Sequence, residues 1–144
     1  MLNIKALLTK ILGRLNDIGA GVMHEPAAVA CATSKYRQVA YVTVPAGTWM
    51  FTATAVFPYN NTTGVRRAFL SLATSNYDNV TDMPPAMGNI CFNQIPVTGS
   101  YQAYVPLATC FRTFSGSTTV RLIAWQNSGA SVNVTGRLYA MRIK

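Results

Sequence analysis

The chain has 144 residues, enough for one main domain that buries about two thirds of its unfolded surface. It is 50% hydrophobic and only 11% charged, against roughly 25% charged in an ordinary soluble domain, so we expect oligomerisation or an uncharged polar surface to keep it in solution. No apolar run approaches the ~20 residues of a membrane-spanning helix, and the bases behind the net charge of +8 are scattered, which argues against a nucleic-acid-binding stripe.

Residues 1–20 are predicted to form a helix that acts as a coiled-coil stem. Their apolar residues recur at alternating steps of three and four, the spacing of heptad positions a and d. Leucine at a with isoleucine at d favours three or four helices over two. Docking of the helix on its own domain and adsorption of its basic face to a membrane remain open alternatives. The seam residues are Met1, Ile4, Leu8, Ile11, Leu15 and Ile18.

Residues 21–34 are predicted to be a linker. Gly21 and Pro26 interrupt the helical periodicity there. The one histidine of the chain, His24, lies in this stretch beside Glu25, and we interpret it as a solvated linker residue.

Residues 35–144 are predicted to form a single β domain. Short alternating segments are separated by turn signals every ten or so residues, which is typical of an antiparallel sandwich or barrel. Segments 58–64 and 75–85 are polar loops, and the strand region 101–114 is either two strands or one broken at Pro106. The other predicted strands are 37–44, 48–57, 66–74, 87–95, 118–126 and 131–143.

The stretch VPAGTWMFTATAVF, residues 44–57, predicts a strand with two unlike faces. Trp49, Phe51 and Phe57 share one face, which suits the core between two sheets. The other face has no charged residue, although a strand face in contact with water usually carries some. We hypothesise that a neighbouring subunit covers it. The residues of this second face are Met50, Thr52, Thr54 and Val56.

The three cysteines, Cys31, Cys91 and Cys110, show no CxxC spacing. An odd number argues against a disulfide framework or a zinc site. We expect buried thiols, with one disulfide plus a leftover thiol as the alternative.

The sequence offers little for catalysis. Asp78 and Asp82 lie four apart in one loop, a weak arrangement for a glycosidase or for a calcium site, and loop capping explains them better. No phosphate-binding loop, nucleophile elbow or zinc motif is present. We therefore expect no enzyme activity, no cofactor and no metal site.

Two polar loops are candidate ligand-binding segments, because tyrosine rings stack on sugars and amides bond their hydroxyls. Arg66 is a further candidate, since guanidinium matches phosphate and carboxylate geometry. Arg66 and Arg67 should face opposite sides of a strand, so only one can serve a given patch; a subunit-interface ion pair or a solvated edge is the alternative for either. The loop candidates are Tyr59, Asn60, Asn61, Tyr77, Asp78 and Asn79.

The segment VPAGTWMFTATAVFP, followed by a turn and GVRRAFLSLATS, resembles the early strands of trimeric jelly-roll heads of the complement and tumour-necrosis-factor type. The ending SVNVTGRLYAMRIK is similar to the last strand of that family. A helix such as MLNIKALLTKIL before such a head resembles short tail-fibre or receptor-binding proteins of bacteriophages and prophages. The resemblance implies a mainly β, antiparallel jelly-roll sandwich head over 35–144, with an N-terminal helix, assembled as a homotrimer.

The resemblance also implies a function, that of a virion appendage protein whose head contacts a host-surface glycan or anionic wall polymer. Three weak sites on one axis would bind by avidity, and the helix would contact other virion proteins. Lys5 and Lys10 interrupt what would be the core of a secretory signal, so we expect synthesis in the bacterial cytoplasm and release by lysis. The alternatives are a purely structural virion component without a receptor and a membrane-associated protein using the basic helix.

Overall fold

A computed structural model describes residues 4–17, 19–58, 63–74, 77–87, 92–97 and 102–144. Within these ranges, one helix, α1 (Ile4–Asp17), precedes eleven strands. The strands are β1 (Gly21–His24), β2 (Val29–Cys31), β3 (Lys35–Val44), β4 (Gly47–Phe57), β5 (Gly64–Ser71), β6 (Asp78–Val80), β7 (Phe92–Val97), β8 (Ala103–Pro106), β9 (Cys110–Phe114), β10 (Thr118–Gln126) and β11 (Val132–Arg142).

The strands form two antiparallel sheets packed face to face. One sheet has six strands in the order β1-β11-β4-β8, with β2 also paired to β11 and β9 also paired to β4. The other has five strands in the order β6-β3-β10-β5-β7. Because the long strands β3, β4 and β5 alternate between the sheets, as do β10 and β11, the sandwich is a jelly roll. The predicted fold class is confirmed.

The core lies between the two sheets, and β4 shows how the sequence builds it. Trp49, Phe51 and Phe57 are almost fully buried, at 3%, 0% and 0% exposure, as their alternation predicted. They pack with inward residues of the opposite sheet, such as Leu122 of β10. Gly136 of β11 lies where the two sheets approach each other closely, because a Cβ there would come within 2.8 Å of the Val39 and Leu122 side chains.

The predicted linker 21–34 is wrong. Its residues include β1 and β2, and both strands pair with β11. His24 is therefore held at a sheet edge, where its Nδ1 accepts a hydrogen bond of 3.0 Å from the backbone N–H of Tyr41. The prediction failed because a four-residue strand between glycine and proline gains its stability from a partner more than a hundred residues away.

Other strand boundaries differ in smaller ways. The region predicted as either two strands or one broken strand contains two, β8 and β9. The predicted loop 75–85 contains the short strand β6, which pairs with β3. The predicted strand 87–95 is found as β7, while 88–91 lie outside the described residues. In β3 a register shift opposite Leu122 and Ile123 leaves consecutive residues Val39 and Ala40 both buried.

Candidate interaction surface

The outer face of the six-stranded sheet is uncharged along its central strand. Met50, Thr52, Thr54 and Val56 of β4 point outward, opposite the core residues, and each remains partly exposed. No described segment of the chain therefore buries them. The hypothesis that a neighbouring subunit covers this face stays a prediction.

One end of this face is apolar, and we call it the apolar half: Met23, Met50, Phe111 and Met141. Strand pairing places Met50 between Met141 and Phe111 in one row across the sheet. Met23 is 57% and Phe111 54% exposed. The apolar half lies near the C-terminal end of α1. Gly19, two residues after that end, donates a 2.8 Å hydrogen bond from its N–H to the carbonyl of Arg142, the neighbour of Met141.

The other end of the face is a concave depression of about 450 Å³, which we call the hydroxyl groove. Three strands line it with side chains that end in hydroxyl groups. Tyr104 of β8 forms one wall and is 57% exposed. The hydroxyl-bearing residues of the groove are Thr52, Thr54, Tyr104, Thr135 and Tyr139.

The hydroxyl groove also contains two charged residues, which neutralise each other. Arg137 donates from both Nε and Nη2 to Oε2 of Glu25, at 2.9 and 2.7 Å. Both side chains are about half exposed. The pair adds little to the free energy of folding, but it leaves the groove without net charge.

The exposed stripe of α1 is a second apolar surface. Its apolar side chains over 4–12 are 45–66% exposed, so docking of this stripe on the same chain is not observed within the described residues. We call Ile4, Leu7, Leu8, Ile11 and Leu12 the helix stripe. Of the predicted seam, the side chain of Leu15 and residues Met1 and Ile18 lie outside the described part.

Arg66 is not the surface ligand residue that the sequence suggested. It points between the sheets and is 2% exposed. Its guanidinium carbon lies 5.7 Å from the centre of the Phe57 ring, and its Nη1 has no hydrogen-bond partner among the described residues. Burial lowers the pKa of Arg66. The smooth alternation of β5 placed Arg66 and Arg67 on opposite sides, as predicted, but the side that Arg66 occupies is the interior.

Arg67 lies on the outer face of the five-stranded sheet. Its guanidinium lies 4.6 Å from the centre of the Trp125 ring and donates to Oε1 of Gln94 at 2.7 and 3.0 Å. It also donates to the hydroxyl of Tyr36. These contacts fix Arg67 within the protein.

The predicted loop residues that are described have structural contacts. Asp78 pairs with Arg37, and the Oδ1 of Asn79 accepts a 2.9 Å hydrogen bond from the N–H of Ala32. Asn79 has a φ of 55°, which asparagine tolerates better than most residues. Tyr77 packs against the small cluster of Tyr36, Phe69 and Ile123 on the outer face of the five-stranded sheet. The first loop, Tyr59, Asn60 and Asn61, lies outside the described residues.

The cysteines differ from one another. Cys31 is a free thiol with no exposed surface, and burial raises its pKa to about 11. Cys110 is in a disulfide, so the expectation of three thiols is wrong and the alternative of one disulfide plus a leftover thiol applies. Cys91 lies outside the described residues.

Within the described ranges, no three His, Cys, Asp or Glu side chains come together as metal ligands. Among the helices that the structure describes, none has both the length and the apolar character needed to cross a bilayer.

Sequence reasoning identified one wall of the hydroxyl groove and missed the others. The uncharged face of β4 was evident from alternation. Tyr104, Thr135, Arg137 and Tyr139 were not singled out, although the alternation in SVNVTGRLYAMRI marks the last three as one face. Only the pairing of β11 with β4 and of β4 with β8 brings them together.

No protein-family model and no curated protein matches the sequence, but solved structures share its fold. The VP2 subviral particle of infectious bursal disease virus matches with a TM-score of 0.57 at 12% identity, over 88% of this chain and 33% of that one. The Gx strain of the same virus gives 0.54 at 10%, over 85% and 33%. The chain thus spans about a third of the length of these viral chains.

The globular domain of zebrafish complement 1qA is similar to the chain over nearly its whole length. The match has a TM-score of 0.50 at 11% identity and covers 86% of this chain and 95% of that domain. At such identities the likeness concerns the fold alone. It agrees with the complement-type jelly roll that the strand segments resemble.

Proposed function

We propose that this protein is a self-associating structural component of a virion, a jelly-roll head assembled as a homotrimer around its N-terminal helix. Its role as an appendage that contacts the host surface, in a bacteriophage or prophage particle, belongs to the same proposal. The proposal includes no catalytic step and places the mature protein in the virion.

The observation that carries the proposal is a pair of exposed apolar surfaces, one on the helix and one on the six-stranded sheet. The helix stripe is 45–66% exposed, and Met23 and Phe111 in the apolar half are more than half exposed. Exposed apolar patches of this kind mark interaction sites. Because the chain has few charges to keep such surfaces soluble, burial between copies is favourable at about 25 cal/mol per Å² of apolar area.

The two surfaces suit a single oligomer. The helix ends at Asp17, two residues before Gly19, whose N–H is bonded to the carbonyl of Arg142 beside the apolar half; helices that meet along their stripes would therefore bring the apolar halves of their heads close together. The leucine and isoleucine positions of the helix favour three or four copies. The jelly-roll fold, which the bursal disease virus and complement chains share, is compatible with assembly through one sheet face.

The molar mass of the full chain tests the proposal. Sedimentation equilibrium at micromolar concentration is expected to give about three times the 15.6 kDa of one chain. Leu8→Asp and Phe111→Asp each place a carboxylate in one of the two surfaces, and each is expected to shift the mass toward that of a single chain because a buried unpaired charge costs several kcal/mol.

Leu72→Asp is the matched control. Leu72 is 41% exposed but belongs to neither surface, so this variant is expected to keep the mass of the unsubstituted protein. A monodisperse single chain for the unsubstituted protein, or equal effects of all three substitutions, would contradict the proposal.

A further inference from the structure

We propose that the hydroxyl groove binds a neutral saccharide segment. The inference rests on the proposed function in that it supplies the host-contact site of the head. It places that site on the outer face of the six-stranded sheet instead of in the two polar loops.

The first support is the number of hydroxyl groups in the groove to which the described residues offer no hydrogen bond. None of the hydroxyls of Thr52, Thr54, Tyr104, Thr135 and Tyr139 makes a hydrogen bond within the described part of the chain. Elsewhere, exposed threonines do pair, as Thr43 with Thr119 at 2.8 Å and Thr48 with Thr113 at 2.9 Å. A hydroxyl can both donate and accept, and so can each hydroxyl of a sugar.

The second support is the two tyrosine rings. Tyr104 offers an exposed ring at one wall. The Tyr139 ring lies directly over Gly21, where a Cβ would come 2.5 Å from its hydroxyl and 2.7 Å from its Cε2. Only glycine leaves room for the ring in that position. Tyrosine combines an apolar face with a polar tip, which matches the apolar CH face and the hydroxyl rim of a pyranose.

The third support is the charge of the groove, which separates a neutral saccharide from an anionic polymer. The guanidinium of Arg137 is neutralised by Glu25 in a two-hydrogen-bond contact. A polyanion would have to displace Glu25 or lie against it, since this carboxylate lines the same groove. The excess positive charge of the chain is therefore not carried by the residues that line this groove.

The size of the groove agrees with a short oligosaccharide. About 450 Å³ lies in the roughly 300–1,000 Å³ range of small-molecule sites. The groove and the apolar half lie side by side on one sheet face, because Thr54 of the groove is four residues from Met50 of the apolar half on the same strand, β4. The proposal requires the groove to remain open when the apolar half is buried in the homotrimer.

An array of neutral and acidic oligosaccharides, with poly(glycerol phosphate) as the anionic polymer, tests the inference on the full chain. Binding to neutral oligosaccharides is expected. Tyr104→Ala is expected to weaken it about tenfold, as loss of an exposed contact ring does. Thr54→Val, which keeps the shape and removes one hydroxyl, is expected to weaken it about threefold to tenfold.

Tyr41→Ala is the matched control, because Tyr41 is 45% exposed on the outer face of the other sheet. It is expected to bind within about twofold of the unsubstituted chain. Molar mass measured on each variant separates the two proposals: a trimer that binds no neutral oligosaccharide, that binds only poly(glycerol phosphate), or that binds equally well with Tyr104→Ala overturns the groove assignment alone.

Discussion

On the outer face of the five-stranded sheet, Phe69 and Ile123 are completely buried, whereas on the outer face of the six-stranded sheet Met23 and Phe111 are more than half exposed. Both faces carry apolar side chains at alternating positions. The first is covered by residues 72–74 and 77–87 of the same chain, which we call the covering segment; Tyr77 and Val80 of this segment pack against the cluster that contains Phe69 and Ile123. The second has no such cover among the described residues.

The covering segment is attached to its sheet by specific bonds. Arg121, 8% exposed, donates to the carbonyls of Ala73 and Thr74 at 2.9 and 3.2 Å. The N–H of Gln38 donates to the carbonyl of Tyr77 at 2.7 Å. An apolar outer face in this fold therefore needs a cover. Where the described residues of the chain do not supply one, we expect a partner to bind.

Phenylalanine occurs on both outer faces, so one type of substitution compares them directly. Phe69→Ala is expected to lower the free energy of unfolding by about 3–5 kcal/mol, the usual result of removing a buried ring. Phe111→Ala is expected to lower it by less than about 1 kcal/mol when the protein is kept well below the micromolar concentration at which the homotrimer is expected. Urea denaturation measures both, and equal losses would mean that the six-stranded sheet is covered within a single chain.

Arginine allows a second comparison with a smaller expected effect. Arg121→Met removes the bonds to the covering segment and is expected to cost about 2–3 kcal/mol, with faster amide hydrogen exchange over 77–87. Arg137→Met, on the open face, removes an exposed ion pair and is expected to cost less than about 1 kcal/mol. Unchanged exchange in Arg121→Met would show that other contacts hold the covering segment.

The interior between the sheets provides a third environment, and Cys31 reports on it through pH. Burial raises the pKa of the Cys31 thiol from 9.0 to about 11. Between these values the folded chain retains a proton that the unfolded chain has lost, so the free energy of unfolding falls as the pH rises through this window. At pH 10 the loss is about 1.4 kcal/mol.

The measurement compares the unsubstituted protein with Cys31→Ala by urea denaturation at pH 8 and pH 10. The alanine variant lacks this proton and is expected to lose less stability over the same interval. An identical loss in both proteins would show that water reaches the thiol in the folded state.

The parts of the fold that sequence reasoning predicted are those set by neighbours along the chain. The alternation of Trp49, Phe51 and Phe57 fixed which face of β4 enters the core, and the exposed stripe of α1 follows from its heptad spacing. β1 and β2 were missed because strands of four and three residues carry too short a pattern. Arg66 was predicted to lie on the surface but is buried, because alternation separates the two faces of a strand without showing which of them lies between the sheets.

The sequence by itself determined the periodicity of each strand, the amphipathic helix and the shortage of charge, because these depend on residues close together in the chain. Only the tertiary structure decided that the covering segment lies on one sheet, that Arg66 is buried, and that Tyr104, Thr54 and Arg137 line one groove. These outcomes depend on strand pairing between residues that lie from 23 (Phe69 with Phe92) to 93 (Trp49 with Arg142) positions apart, and no local pattern specifies which segments pair. The physical reason is that alternation gives each strand two distinct faces, while packing between distant segments decides which of them is buried.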